Sequence, residues 1–131
     1  MNKMERYNFK DELRAKRLYD LYLIMKRSGA YSTLYDITKE LSIMPMPIHY
    51  ISFYTARRVY HRYFLHKKPV RYKSISKSIL YNSFILVCKQ LRAQGLTDAN
   101  KIISHALLSE APCCGLGESY IRRILRAQGA K

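Results

Sequence analysis

The sequence has no tryptophan, three cysteines, and not one aspartate or glutamate across residues 41–97. Cys88, Cys113 and Cys114 are too few for the paired framework of a small disulfide-rich domain, which places the chain in a reducing cytoplasm. Two of them are adjacent, without the two-residue spacing that lets a pair of thiolates converge on one zinc, so neither a metal nor a cofactor is expected. Apolar runs are short. The longest candidate, residues 79–87, is interrupted by Asn82 and Ser83 and falls well below the roughly 20 residues of a spanning helix. The opening MNKMERYNFKDE lacks the apolar segment of a signal peptide, and no membrane association is expected. There is no Gly-rich phosphate loop, no Ser/His/Asp signature and no carboxylate cluster. Nine scattered acids give a metal-dependent nuclease no site, so the chain reads as non-enzymatic, with no catalytic residues.

What is present in excess is positive charge. Twenty-four Lys and Arg against nine acids give a net charge of +15. The acid-free stretch alone holds Arg57, Arg58, Arg62, Lys67, Lys68, Arg71, Lys73, Lys77, Lys89 and Arg92. A solubilising surface ordinarily mixes both signs, and one-sided charge destabilises a compact chain by self-repulsion. The imbalance therefore points to an anionic partner. With 131 residues, 48% of them hydrophobic, the chain is long enough for one folded domain, or two very small ones sharing a core.

The apolar spacing is helical almost throughout, and an all-α fold of about six helices is expected. Residues 1–9 read as a short arm. Leu13, Leu18, Leu21, Tyr22, Ile24 and Met25 place a helix over residues 10–27, ended by Ser28-Gly29. Ser32 or Thr33 caps a second helix carrying Leu34, Ile37, Leu41 and Ile43, which stops before Pro45 and Pro47. Residues 49–51 should be extended. Ser52 caps a third helix, with Phe53, Ala56, Val59, Tyr60, Tyr63 and Phe64 on one side and Arg57, Arg58, His61 and Arg62 on the other. A fourth helix over residues 77–94 should bury Ile79, Leu80, Phe84, Val87, Cys88 and Leu91. A fifth, capped by Thr97 or Asp98, carries Ile102, Ile103, Ala106 and Leu107, and a sixth covers residues 118–128.

The chain also looks repeated. PIHYISFYTARRVYHR beginning at Pro47 corresponds to PCCGLGESYIRRILR beginning at Pro112, so that Arg57-Arg58 align with Arg122-Arg123 and His61 with Arg126. YDLYLIM from Tyr19 likewise lies over YNSFILV from Tyr81. This divides the chain into a three-helix half over residues 1–66, a basic linker over 67–73 and a second three-helix half over 74–131, sharing one core if the two are not independent.

A helix, a second helix, a turn and a basic third helix in that order resemble the tri-helical helix-turn-helix DNA-binding modules, whose third helix enters the major groove. The chain departs from their pattern in the turn: residues 44–51 are longer than usual and contain two prolines, which bears on the docking angle. The stretch PMPIHYISxxxARR also looks like small basic proteins of bacteriophages and of mobile elements in gut bacteria. That likeness implies a genomic setting in a bacterial host, with phage proteins or a virion as further partners, but no activity.

The expected function is binding of nucleic acid, duplex DNA ahead of RNA. The candidate contacts are Arg57, Arg58, His61, Arg62, Lys67, Lys68, Arg71 and Lys73, with Arg122, Arg123 and Arg126 from the sixth helix. Arginine suits the task because it grips phosphate oxygens or the guanine edge with two parallel hydrogen bonds. Twelve tyrosines and four phenylalanines accompany the charge. Tyr60 and Tyr63 fall on the side expected to be buried, whereas Tyr54 and Tyr72 are open to base stacking. Two alternatives have the same composition: a phage structural or packaging-associated protein with a basic interaction face, and an RNA-binding protein.

Overall fold

Six α-helices build the computed structural model, which describes the backbone of residues 3–131 and the side chains from Lys10 onward. They are α1 Lys3–Ser28, α2 Leu34–Leu41, α3 Phe53–Phe64, α4 Ile75–Ala93, α5 Ala99–Leu107 and α6 Glu118–Ala127. No strand forms among the described residues, apart from a single antiparallel bridge between Met46 and Ala111. The all-α expectation holds.

Short polar side chains set the helix starts. Thr33, Ser52 and Ser74 each accept a hydrogen bond from the backbone N–H three residues on, at 3.2 Å, and Asp98 accepts from Asn100 and Lys101. Three boundaries differ from the sequence expectation, one of them at α4, which begins at Ile75 directly after the Ser74 cap, ahead of the expected residue 77. α1 begins at Lys3, so the expected arm is helical from that point, and Met1 and Asn2 lie outside the described residues. No Pro or Gly interrupts residues 3–9, and the helix simply continues backward through them. α2 ends at Leu41, and Ile43 projects into solvent beyond it. On α4, Ile79 faces outward instead of in, and Tyr81 and Ile85 are buried in its stead, because the side covered by α3 and α5 is rotated from the one the spacing suggested.

The helices form two three-helix groups that interleave the chain. α6 packs on α1 and α2, and α3 packs on α4 and α5. A third helix folded back on its own first two, as in the tri-helical modules, is therefore not what forms. The physical reason is the connection ahead of α3. Pro45 and Pro47 hold it extended, and it crosses to the other group instead of turning back. There Met46 and Ala111 exchange backbone hydrogen bonds of 2.8 and 2.9 Å, and the His49 N–H donates to the Leu107 carbonyl at 2.9 Å. The bridge joins the two residues that immediately precede Pro47 and Pro112. Leu18, Leu41, Met46, Leu80, Phe84, Ile102, Ile103, Ile121 and Leu125 are fully buried in one continuous core drawn from both groups.

His49 pins the crossing. Its ring is wholly buried, with Nδ1 2.9 Å from the Ser109 carbonyl and Nε2 2.9 Å from the Ser83 hydroxyl. A carbonyl can only accept, so Nδ1 carries the hydrogen and Nε2 accepts from Ser83 in the neutral ring. Burial holds this imidazole below the ordinary histidine range, partly offset by the Ser109 hydrogen bond.

Candidate functional site

α3 is fixed from behind and open in front. Ala56, Val59 and Tyr60 are buried. Arg92 of α4 donates to the Tyr60 hydroxyl at 2.9 Å and lies 4.2 Å from the Phe64 ring centroid, and the Lys89 ammonium sits 4.8 Å from that of Tyr63. With those side chains turned inward, the 100° step leaves Arg57, Arg58 and Arg62 exposed, with His61 half-buried beside them. The His61 Nδ1 is buried with no hydrogen-bond partner.

At the end of α3, Lys67 takes a left-handed conformation, φ 54°, and the Lys68 N–H reaches the Arg62 carbonyl at 3.2 Å. An L-residue gives up roughly 1–2 kcal/mol to sit there. The turn lays the basic linker alongside α3. Tyr54, Arg57, Arg58, His61, Arg62, His66 and Lys68 then surround an open groove of about 590 Å³. Arg62 and Lys68 also border a second hollow of about 250 Å³ with Val59, Pro69, Val70, Arg71 and Tyr72. Lys67 borders a separate hollow with Tyr63, Phe64 and Pro69, and Lys73 is exposed just ahead of the Ser74 cap.

Among the described residues no ion pair neutralises these cations. The ion pairs among the described residues are Arg14–Asp11 at 2.9 Å and Arg122–Glu118 at 3.9 Å, and neither involves α3 or the linker. The acids lie elsewhere. Seven of the nine, Glu5, Asp11, Glu12, Asp20, Asp36, Glu40 and Glu118, are in the sequences of α1, α2 and α6. Folding thus gathers the basic stretch into the α3–α4–α5 group and the acids largely into the other.

α6 differs from what its sequence suggests. Arg122 is half-buried: it donates to the Thr38 hydroxyl at 3.1 Å, lies 4.2 Å from the Tyr35 ring centroid and pairs with Glu118. It joins α6 to α2 and is not available to a ligand. Arg123, 5.7 Å from the Tyr120 ring centroid, and Arg126 are exposed, but they belong to the other three-helix group. The structure therefore brings together the α3 and linker residues and leaves the α6 residues apart. The sequence reading left Tyr54 open to base stacking and did not include His66, which lies in the turn just past the end of α3, in the basic set. Alanine in place of Arg122 is expected to lower stability by about 1–2 kcal/mol, the scale of a hydrogen bond from a charged donor plus a ring contact. Urea unfolding measures this; an unchanged midpoint would show that Arg122 is not structural.

The cysteines are internal. Cys113 donates from Sγ to the Ser76 carbonyl at 3.5 Å, burial raises the thiol pKa of Cys113 and Cys114, and it pushes that of Cys88 up to about 12. No group of three or more His, Cys, Asp or Glu side chains able to hold a metal ion occurs among the described residues, and no described helix is long and apolar enough to cross a membrane. No protein-family model matches the chain, and neither a curated protein nor a solved structure does.

Proposed function

We propose that this is a non-catalytic nucleic-acid-binding protein that grips duplex DNA with α3 and the basic linker. The observation that carries the proposal is the groove of Arg57, Arg58, His61, Arg62, His66 and Lys68, in which no cation is ion-paired among the described residues. A polyanion supplies the missing charge and gains the entropy of released counterions. Arg57 and Arg58 on one helix turn suit phosphate or base-edge contacts, and Lys67, Lys68, Arg71 and Lys73 suit the neighbouring backbone.

Duplex is favoured over single strands because the tyrosines serve the fold. Tyr60 is buried, the Tyr63 ring is covered by Lys89, and Tyr72 meets Tyr81 edge to face at 4.8 Å. That leaves Tyr54, exposed at the groove, in place of a run of rings on which successive unpaired bases stack. We also read the chain as two related halves that exchange third helices about the Met46–Ala111 bridge, with the open basic face on the α3 side alone. The exchanged packing and the position of the bridge ahead of both prolines support this.

The test compares a duplex, the corresponding single strand and an RNA hairpin over a salt series. The duplex is expected to bind most tightly, with affinity falling linearly in log–log form as salt rises. Preference for the hairpin would make this an RNA-binding protein. No salt-dependent binding to any of the three would direct the basic face to a protein partner, such as a phage structural component.

A further inference from the structure

Next to the open groove, bordered by α3 from Thr55 to Arg62, by Tyr72 of the linker and by the first two turns of α4, lies a more enclosed pocket of about 330 Å³. Its chemistry is carried by Thr55, Arg58, Arg62, Tyr72, Lys77 and Tyr81. Three of these are cations, three bear hydroxyls, and no acid occurs anywhere in residues 41–97 to balance them. We infer that this pocket binds a phosphomonoester, the terminal phosphate of a nucleic-acid strand or of a free nucleotide. The inference deepens the duplex-binding reading and rests on it only for the source of the phosphate.

The hydroxyls are set to donate. Thr55 Oγ1 accepts from the Ser52 hydroxyl at 2.9 Å, leaving its own hydrogen for another acceptor. Tyr72 and Tyr81 keep their phenolic hydrogens at neutral pH: burial raises both, Tyr81 to about 12 with Tyr72 and Asp11 adding to the rise, although Arg62 and Arg58 pull Tyr72 down and Arg14 and Arg58 pull Tyr81 down; Asp11, on α1, is ion-paired with Arg14. Lys77 lies 4.8 Å from the Tyr72 ring centroid and 5.6 Å from that of Tyr81, so its ammonium is held over the pocket wall. It also stands in the first turn of α4, where a cation opposes the helix dipole and neither α3 nor α4 has an acid. That arrangement destabilises the empty protein and favours one with an anion bound.

Enclosure argues for a terminal group. A phosphodiester within a strand carries a sugar on either side and needs an open channel, which the wider groove on the outer face of α3 provides. This pocket is walled by Tyr72 and Tyr81, has the volume of a small-ligand site, and has three cations in its lining, a charge that suits the dianion of a monoester. The neighbouring hollow shares Val59, Arg62 and Tyr72 with it and adds Pro69 and Val70, an apolar surface on which the attached nucleoside can lie.

The experiment uses the full chain. It compares a short duplex bearing 5′-phosphates with the same duplex bearing 5′-hydroxyls, titrates a nucleoside 5′-monophosphate followed by NMR, and includes closed circular DNA, which has no ends. The phosphorylated duplex is expected to bind about tenfold more tightly than the hydroxyl form, the scale of one charge-assisted hydrogen bond. Lys77→Gln should abolish that advantage and Tyr72→Phe should reduce it, with circular-DNA affinity unchanged in both. Saturable monophosphate binding without an end preference supports the pocket and assigns it to a free nucleotide. Equal affinity for the two duplexes together with no saturable monophosphate binding overturns the inference, as does an end preference that survives Lys77→Gln. Failure of the parent to bind circular DNA would remove the duplex reading and leave monophosphate binding to decide this one.

Discussion

Replacing Gly115 by alanine is expected to destabilise the protein by about 2–5 kcal/mol, the sum of a left-handed backbone penalty and a core overlap. Gly115 has φ 81°, and a Cβ built there would lie 2.5 Å from Leu80 Cδ2, 3.4 Å from Leu80 Cβ and 3.5 Å from Leu80 Cγ. Leu80 is 1% exposed and has no room to retreat. The loop is held on its other side as well, where Arg14 of α1 donates to the Cys114 carbonyl at 3.2 Å. Yielding would disturb the passage from α5 to α6 and the packing of α6 on α1 and α2. Gly95 is the control: it has φ 103° but nothing within 4 Å of an added Cβ, so its alanine variant should lose only about 1–2 kcal/mol. Urea unfolding of the two variants separates strain from overlap. Equal losses would mean that Leu80 accommodates the methyl group and that the loop is not closely packed.

The local structure was legible in the sequence because local chemistry sets it. Thr33, Ser52 and Asp98 cap the helices at positions where hydroxyl or carboxylate side chains precede apolar periodicity. The open side of α3 followed from the spacing of Ala56, Val59 and Tyr60 against Arg57, Arg58 and Arg62. The partner of each helix was not legible. Ser28-Gly29 and Pro45/Pro47 both announce a break in the helix, but only the extended geometry of the second, stitched to residues 107 and 111, sends α3 across to α4 and α5. Arg122 illustrates the consequence. Its sequence neighbourhood matches that of Arg57, yet α6 lies on α2, where Thr38 and Tyr35 engage the guanidinium. Lys77 belongs to the acid-free basic stretch but is absent from the expected contacts for a similar reason. Tyr81 lies one turn away on the same helix, but Tyr72, Arg58 and Arg62 reach the pocket only through the fold.

The most direct measurement is the salt dependence of binding to a duplex with 5′-hydroxyl ends, for the parent and for a variant with Arg57, Arg58 and Arg62 all changed to alanine. The three side chains are exposed and form no ion pair among the described residues, so each replacement should alter stability by no more than about 0.5 kcal/mol. Each phosphate contact contributes about 0.9 to the log–log slope, and three lost contacts should flatten it by about 2.7. By the same counterion arithmetic, affinity at about 0.1 M salt should fall on the order of 100- to 1,000-fold. Changing Arg123 and Arg126 to alanine should leave both quantities close to those of the parent, because those residues lie outside the α3 face. A triple variant that folds normally and keeps the parent's slope and affinity would contradict the account, and the α3 face would then not be where DNA is held.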